Sequence, residues 1–238
     1  MIWQYWETRG TKPAYIDGLR AIAEKNAGVP VTLVTPETLP GYLPDLPPEI
    51  HDIAELAHKA DMIRTMLLHR HGGMWLDCDA IVLKPLAPLF DHLEDHDFVA
   101  FRSSERVRFW RARARVNCFL TRPRGRVVRE WMRRQQATLP RTAYRWNEIG
   151  SDMLEDVCRE SRGMIKVLPF ERICPVRWDR IDRFERRGNP RPILRDCTMM
   201  MMSNKMLCER RSPLVGMTVE EIVRRDWLIS DVLRQALG

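Results

Sequence analysis

The stretch Ala60 to Leu83 reads ADMIRTMLLHRHGGMWLDCDAIVL, and the rest of the chain is best understood outward from it. Asp61 and Arg64 stand three residues apart in a helix-forming run, Gly72-Gly73 interrupts that run, and the short apolar segment Met74 to Leu76 leads directly into Asp77-Cys78-Asp79. A spacing of three places Asp61 and Arg64 on one helical face. A Gly-Gly pair tolerates the backbone angles of a tight reversal, so the following strand can return beside the helix. In open α/β sheets ligands bind at the carboxyl ends of strands, where the two aspartates fall. Paired oxygen ligands suit Mg2+ or Mn2+, and an arginine nearby offers phosphate a planar fork that lysine lacks. Taken singly, Asp-x-Asp also describes a solvated loop, and Asp61 with Arg64 also describes a surface ion pair.

Upstream, Ile2 to Trp6 is rich in strand-forming residues and is followed by a breaker stretch from Thr8 to Pro13. Tyr15, Ile16, Leu19, Ile22 and Ala23 recur at helical spacing, closing at Asn26 to Gly28, and Val31 to Thr35 predicts a second strand. Strand, helix, strand opens an α/β layered fold. Proline punctuates residues 36 to 48, after which Ile53, Leu56, Ala57, Ala60, Ile63 and Leu67 mark one face of a long helix. Downstream, Phe98 to Phe101, Val116 to Leu120, Met164 to Leu168 and Thr198 to Met202 read as strands, Gly125 to Gln136 as a basic helix, and Ser151 to Cys158 as a helix opened by a capping serine. The four methionines Met199 to Met202 also suit adaptable core filling. Thr218 followed by Glu221 predicts a capping box ahead of the C-terminal helices.

With 238 residues, 45% hydrophobic and 30% charged, the composition is that of a folded globular chain, and one domain is the simplest organisation. We expect a single domain over residues 1–238, with a ligand-binding half at 1–121 and an acceptor-side half at 122–238. The start, MIWQYWETRG, lacks an export signal and no run of eighteen apolar residues occurs, so a cytosolic setting is expected. Six dispersed cysteines without a zinc-site spacing read as reduced thiols. Net charge is +7, and residues 102 to 145 hold fourteen arginines against two acids. Such a tract attracts anionic membrane or acceptor, or is an ordinary solvated face. The aromatic and glycine signatures of nucleic-acid modules do not accompany it.

The order A-D-x-x-R, helix end, Gly-Gly, aromatic residue and Asp-x-Asp resembles the sugar-binding-region glycosyltransferases that carry a DXD motif, among them capsular polysaccharide synthesis proteins and yeast-type mannosyltransferases, with clostridial glucosylating toxin domains more distant. The resemblance implies an α/β fold of GT-A type, Rossmann-like, with a mixed central sheet flanked by helices. It implies a nucleotide-sugar donor, UDP-linked in our reading, and a glycan or lipid-linked oligosaccharide acceptor. It also implies a Mn2+ or Mg2+ cofactor and transfer with retention of configuration. IWQYWE is similar to the family's opening strand, which places Trp6, with Tyr5 beside it, at the nucleobase. VNCFLTRPRG resembles a segment that brings Asn117 toward the donor sugar, and WNEIGSDML, with Ser151 where proline is usual, a segment that brings Asp152 toward the acceptor. Asp152 alternatively serves the first turn of a helix, where an acid is favoured. By the same resemblance Asp79 binds the metal directly and Asp77 through water or the donor ribose. Arg64 then holds the diphosphate or sugar, and Asp61 orients the sugar hydroxyls. The C-terminal match is loosest: MMMMSNKML offers Asn204 as a further metal ligand, with Ser203 and Lys205 near the phosphates.

Two other classes keep a place. A nucleotidyltransferase also uses paired aspartates, but Glu7 to Pro13 is a poor phosphate loop. A non-catalytic scaffold would not need Asp61, Arg64, Asp77 and Asp79 together. An effector-type enzyme acting on protein shares every feature of the favoured reading.

Overall fold

The computed structural model describes residues 1–7, 12–102 and 114–238. In chain order the elements are β1 (Ile2–Tyr5), α1 (Ile16–Asn26), β2 (Val31–Val34), α2 (Leu39–Tyr42), α3 (Leu56–His71), β3 (Gly73–Leu76), β4 (Ala80–Val82), β5 (Phe98–Arg102) and β6 (Ala114–Thr121). There follow α4 (Arg126–Gln136), α5 (Met153–Glu160), β7 (Ile165–Pro169), α6 (Arg191–Asp196), β8 (Met199–Met201), α7 (Asn204–Glu209), α8 (Val219–Ile222) and α9 (Leu228–Leu237). The chain divides into two compact units, one of Met1–Thr8, Thr32–Asp77 and Pro88–Pro169, the other of Arg9–Val31, Cys78–Ala87 and Phe170–Gly238.

The first unit is built on a six-stranded sheet in the order β2-β1-β3-β6-β5-β7. Strand β1 pairs with β3 in parallel, β5 with β7 in parallel, and β6 runs antiparallel to both β3 and β5. This is the mixed, helix-flanked α/β sheet that the family resemblance implies. Strand β3 carries Met74, Trp75 and Leu76 with at most 1% exposure, as a central strand covered on both faces must. Helix α3 lies against the same core, which Trp3, Ile63, Leu67, Trp75, Phe119 and Trp131 help to fill.

The reversal from α3 to β3 rests on its two glycines. Gly72 has φ 66° and Gly73 has φ 101°, and a Cβ on either would stand 2.5 Å from Pro123 Cδ or from the Met1 carbonyl oxygen. Only glycine accepts both the angles and the close approach. The turn is held by the Gly72 N–H donating to the Leu68 carbonyl at 2.8 Å and by the Trp3 indole donating to the Gly72 carbonyl at 2.9 Å.

Local spacing misplaced two features. Helix α3 begins at Leu56, so Ile53, 1% exposed, is buried from the preceding loop, whereas Leu56 itself is 37% exposed. His58, Lys59, Asp61 and Arg64 are buried instead, so polar groups occupy a helix surface that a purely hydrophobic reading assigns to solvent. Ser151 does not cap a helix. It is buried within a π-helical turn, Glu148–Asp152, and α5 starts only at Met153, with Asp152 at its N-cap and no side-chain cap bond.

In the second unit α1 buries Ile16, Leu19, Ile22 and Ala23, and β4 pairs antiparallel with β8 in the register Ala80↔Met201, Ile81↔Met200, Val82↔Met199. The methionines therefore serve both as a strand and as core, each at most 2% exposed. The capping box is present, the Thr218 hydroxyl accepting from the Glu221 N–H while the Glu221 carboxylate accepts from the Thr218 N–H, and the helix it opens is the single turn α8. Among the described residues every cysteine is free, and only Cys208 is exposed. No helix among them is long and apolar enough to cross a membrane.

Candidate functional site

Within the first unit the carboxyl end of β3 brings Asp77 together with Asp61 and Arg64 of α3. Arg64 Nη2 stands 3.4 Å from Asp61 Oδ1 and 3.7 Å from Asp77 Oδ1, so one guanidinium serves a carboxylate on its own helix and another at the carboxyl end of β3. The guanidinium also donates through Nε to the Ala60 carbonyl at 3.2 Å and through Nη1 to the Val116 carbonyl at 2.5 Å. Its central carbon lies 4.8 Å above the Trp75 ring. The Trp75 indole in turn donates to Asp77 Oδ1 at 2.7 Å. Arg64 is thus locked on several sides, which is the preorganisation that a phosphate or sugar clamp needs.

Burial gives this cluster its electrostatic character. Asp61 is 6% exposed and Arg64 5%. Loss of hydration pushes the Asp61 carboxyl up to about 6, with Asp77 adding to the rise and the Arg64 cation opposing it. Asp77 is raised as well, first by crowding from surrounding protein, while Arg64 and the Trp75 indole pull it back. The Asp77 N–H donates to the Asn117 carbonyl at 3.0 Å, which ties β6 to this strand end, and the Asn117 side-chain oxygen is buried without a hydrogen-bond partner. An orphaned buried acceptor of this kind fits a donor group that arrives with a ligand.

Three residues that local patterns did not single out complete the arrangement. The Gln135 amide of α4 donates to the carbonyls of Asp61 at 3.0 Å and Ile149 at 2.9 Å, and the Trp131 indole donates to the Ile149 carbonyl at 2.9 Å. These bonds pin the π-helical turn so that Gly150 faces Asp61, where a Cβ would stand 2.6 Å from Oδ2. A helix four-residue pattern ending in a buried Gln was the available signal for Gln135; nothing local marks Gly150. Gly150→Ala is expected to push Asp61 off Arg64 and to cost about 1–3 kcal/mol, the usual penalty of overpacking a filled site. Thermal unfolding together with donor affinity checks this, and a variant matching the parent in both would show that the contact is dispensable.

Other predicted residues lie as follows. Tyr5 belongs to the core and its hydroxyl donates to Glu7 Oε2 at 3.2 Å, beside a buried Lys59–Glu7 ion pair at 3.1 Å. Trp6 is half-buried just past the end of β1, its N–H donating to the Val34 carbonyl at 3.0 Å. Asp152 follows Gly150 by two residues, its N–H donating to the Asn147 carbonyl at 3.0 Å. Of the arginine tract, residues 103–113 lie outside the described residues. Several of the rest are committed to acids: Arg102 to Glu155, Arg133 and Arg134 to Glu130, Arg141 to Glu148.

In the second unit the β4–β8 ladder continues through the Met202 N–H donating to the Asp79 carbonyl at 3.0 Å, which brings the next residues to the Asp79 side chain. The Asn204 N–H donates to Asp79 Oδ2 at 2.7 Å, and the buried Tyr15 hydroxyl donates to Asn204 Oδ1 at 2.7 Å. Ser203 turns the chain with φ 58°, and Lys205 is exposed. Asp79 and Asn204 are thus hydrogen-bonded neighbours, with the Tyr15 hydroxyl beside them. Among the described residues no three His, Cys, Asp or Glu side chains gather as a metal cluster. A carboxylate and an amide oxygen nevertheless fit a hard cation, because Mg2+ commonly takes one or two protein oxygens and completes its shell with phosphate and water.

Comparison with known proteins agrees with this architecture. The family model of capsular polysaccharide synthesis proteins matches residues 1–137, more than half of the chain. No curated protein matches it by sequence. Among solved structures, a glycosyltransferase involved in the glycosylation of the major capsid of PBCV-1 is similar at 12% identity with a TM-score of 0.52, over 90% of this chain and 98% of that one. The PaToxG glycosyltransferase is similar at 11% identity with a TM-score of 0.46, over 67% and 68%.

Proposed function

The chain belongs to the capsular polysaccharide synthesis protein family and folds as a glycosyltransferase, and from that premise we propose that it moves a hexose from a nucleotide sugar, UDP-linked in our reading, to a glycan acceptor in surface-polysaccharide synthesis. The observation that carries the reading is Arg64, buried and held by Asp61 and Asp77 at the carboxyl end of β3. Two acids around one arginine, at the sheet edge where α/β proteins bind ligands, leave the cluster with one negative charge in excess, which favours a divalent cation nearby and leaves the arginine fork available to phosphate.

In this proposal Arg64 grips the diphosphate or the transferred sugar with its fixed fork. Asp61 accepts from sugar hydroxyls, and its burial raises the proton affinity of the accepting carboxylate. Asn117 presents its unpartnered amide oxygen to the donor sugar. Trp6 lies beside the nucleobase. Within the second unit, Asp79 and Asn204 would hold Mn2+ or Mg2+. The cation, when bound, neutralises the departing diphosphate. Retention follows if the acceptor attacks from the face the phosphate leaves, with Asp152 toward the acceptor hydroxyl. Arg124, Arg126 and Arg129, exposed at the start of α4, supply positive charge toward an anionic membrane surface or a lipid-linked acceptor.

A screen of UDP- and GDP-sugars with Mn2+ tests the class and names the donor. One sugar nucleotide at about 100 times its Kd is expected to add about 2.7 kcal/mol to the unfolding free energy, a shift of several degrees, and to be slowly hydrolysed. EDTA should abolish both effects. If no sugar nucleotide stabilises or is cleaved with Mn2+ present, the transferase reading fails.

A further inference from the structure

The first unit holds a second charged place that the donor chemistry does not use. A cavity of about 180 Å³ lies between α5 and the β5–β7 pair of strands. Ala100, Ile165 and Val167 give it apolar walls, and three guanidinium groups, those of Arg102, Arg159 and Arg162, line it against a single acid, Glu155. Its volume is well below the roughly 300–1,000 Å³ of a pocket for a drug-sized ligand, so it suits one charged group and not a whole nucleotide.

Glu155 orders the basic groups without using them up. It is 4% exposed, and its Oε1 accepts from Arg102 Nη2 and, at 3.2 Å, from Arg159 Nε, while its Oε2 accepts from the Ala114 N–H at 2.9 Å. Burial works against its charge, but the Arg102 and Ala114 bonds hold the carboxyl below its ordinary value, so it stays ionised at neutral pH. A guanidinium has five N–H donors. Arg102 gives one to Glu155, and Arg159 gives one to Glu155 and one to Asp156 at 3.5 Å, so both keep donors for a further acceptor. Their side chains are 33% and 35% exposed, and Arg162, exposed at the start of the turn before β7, has no acid partner among the described residues. Three cations around one acid leave an excess of two positive charges, on arginines of which two are fixed in place.

The position relates this cavity to the donor site. Strands β3, β5 and β7 run in one direction, with β6 antiparallel to β3 and β5, so Arg102, the last residue of β5, stands at the same sheet edge as Asp77. On β6, Ala114 is bonded to Glu155 and Val116 to Arg64, two residues or about 6.6 Å apart along the strand. The sheet order β1-β3-β6-β5 puts the cavity on the side of β3 away from β1, where the donor's base is placed.

We propose that this cavity binds an oxyanion, the carboxylate or phosphate of a charged sugar residue in the acceptor glycan. Arginine's planar fork matches either group with paired, charge-assisted hydrogen bonds, and the apolar walls suit the C–H surface of the ring that carries it. The assignment to the acceptor rests on the function proposed above, but the oxyanion contact itself does not.

Isothermal titration of the whole protein with glucuronate, with glucose 6-phosphate and, as the neutral control, with glucose tests it. At least one of the two anions should bind, and glucose should not. Binding of glucuronate alone marks a uronate, of glucose 6-phosphate alone a phosphorylated sugar, and of both a site that reads the charge. Arg162→Ala and Arg159→Ala should each weaken the anion about tenfold or more, the loss of one charge-assisted hydrogen bond. Arg129→Ala, which removes an exposed arginine of α4, should bind like the parent. Because Arg162 is exposed, its removal should leave thermal unfolding unchanged. No anion binding in the parent, equal binding in parent and Arg162→Ala, or an equal loss in Arg129→Ala overturns the site, and glucose binding as tightly as the anions overturns its charge selectivity. Loss of sugar-nucleotide stabilisation in Arg162→Ala overturns the assignment to the acceptor. If anion binding depends on Arg162 while no sugar nucleotide stabilises the parent, the cavity stands and the transferase reading falls.

Discussion

Asp77→Asn and Asp79→Asn are each expected to lower kcat/KM for sugar transfer by about 10²–10³-fold, the usual consequence of removing one preorganised electrostatic group from a reacting centre. Both replacements keep shape and an acceptor oxygen. The Trp75 indole can still donate to position 77, and the Asn204 N–H to position 79. Thermal unfolding should therefore stay close to the parent's, so that lost transfer reports lost charge and not a lost fold. Steady-state kinetics with the donor named by the screen, in Mn2+, decides the matter. If both variants keep transfer within about tenfold, the aspartates are not the working groups and the mechanism must be drawn again.

Arg64→Ala should have the largest effect on stability. It strips a buried guanidinium from between two carboxylates and leaves the Val116 carbonyl without that donor and the Trp75 face without its cation. Breaking a buried pair by removing one partner costs about 3–5 kcal/mol, because the remaining charge stays desolvated. The cost should depend on pH in a set direction. The Asp61 carboxyl in the folded chain is already raised to about 6, above its ordinary value, so its protonated form is the one that folding favours. Its contribution to stability is fully present below about pH 4, the unfolded carboxyl's range, and is lost as pH rises through about 6. Arg64 is the influence that holds this rise in check, so without it the loss deepens on the alkaline side. Urea unfolding at pH 8 and pH 5 should show the variant's penalty shrinking on acidification. A penalty that grows toward pH 5, or none at pH 8, would mean that Arg64 does not offset the buried carboxylates.

The helix-turn-strand motif was legible because everything it needs is local. Asp61 and Arg64 share a face by helical geometry, Gly72-Gly73 carries the positive φ angles its reversal demands, and Asp77 follows the last residue of a buried strand. The same local reading failed at Leu56, Ile53 and Ser151, where burial depends on what packs across the helix and not on spacing along it. It also passed over Lys59 and Glu7, whose buried pairing joins residues 52 positions apart, and over Gln135, whose amide ties Asp61 and Ile149 from a third element.

By itself, then, the chain determined the α/β order, the acid-arginine face, the glycine reversal and the place of the aspartates at a strand end, since each follows from backbone geometry within a few residues. Tertiary structure alone decided that Gly150 faces Asp61, that Asn204 meets Asp79 across 125 positions, and that Tyr15 stands where it does. Those contacts arise from ladder register and from side chains of distant helices, and periodicity carries no information over such separations because the pairing is chosen by the whole packed core.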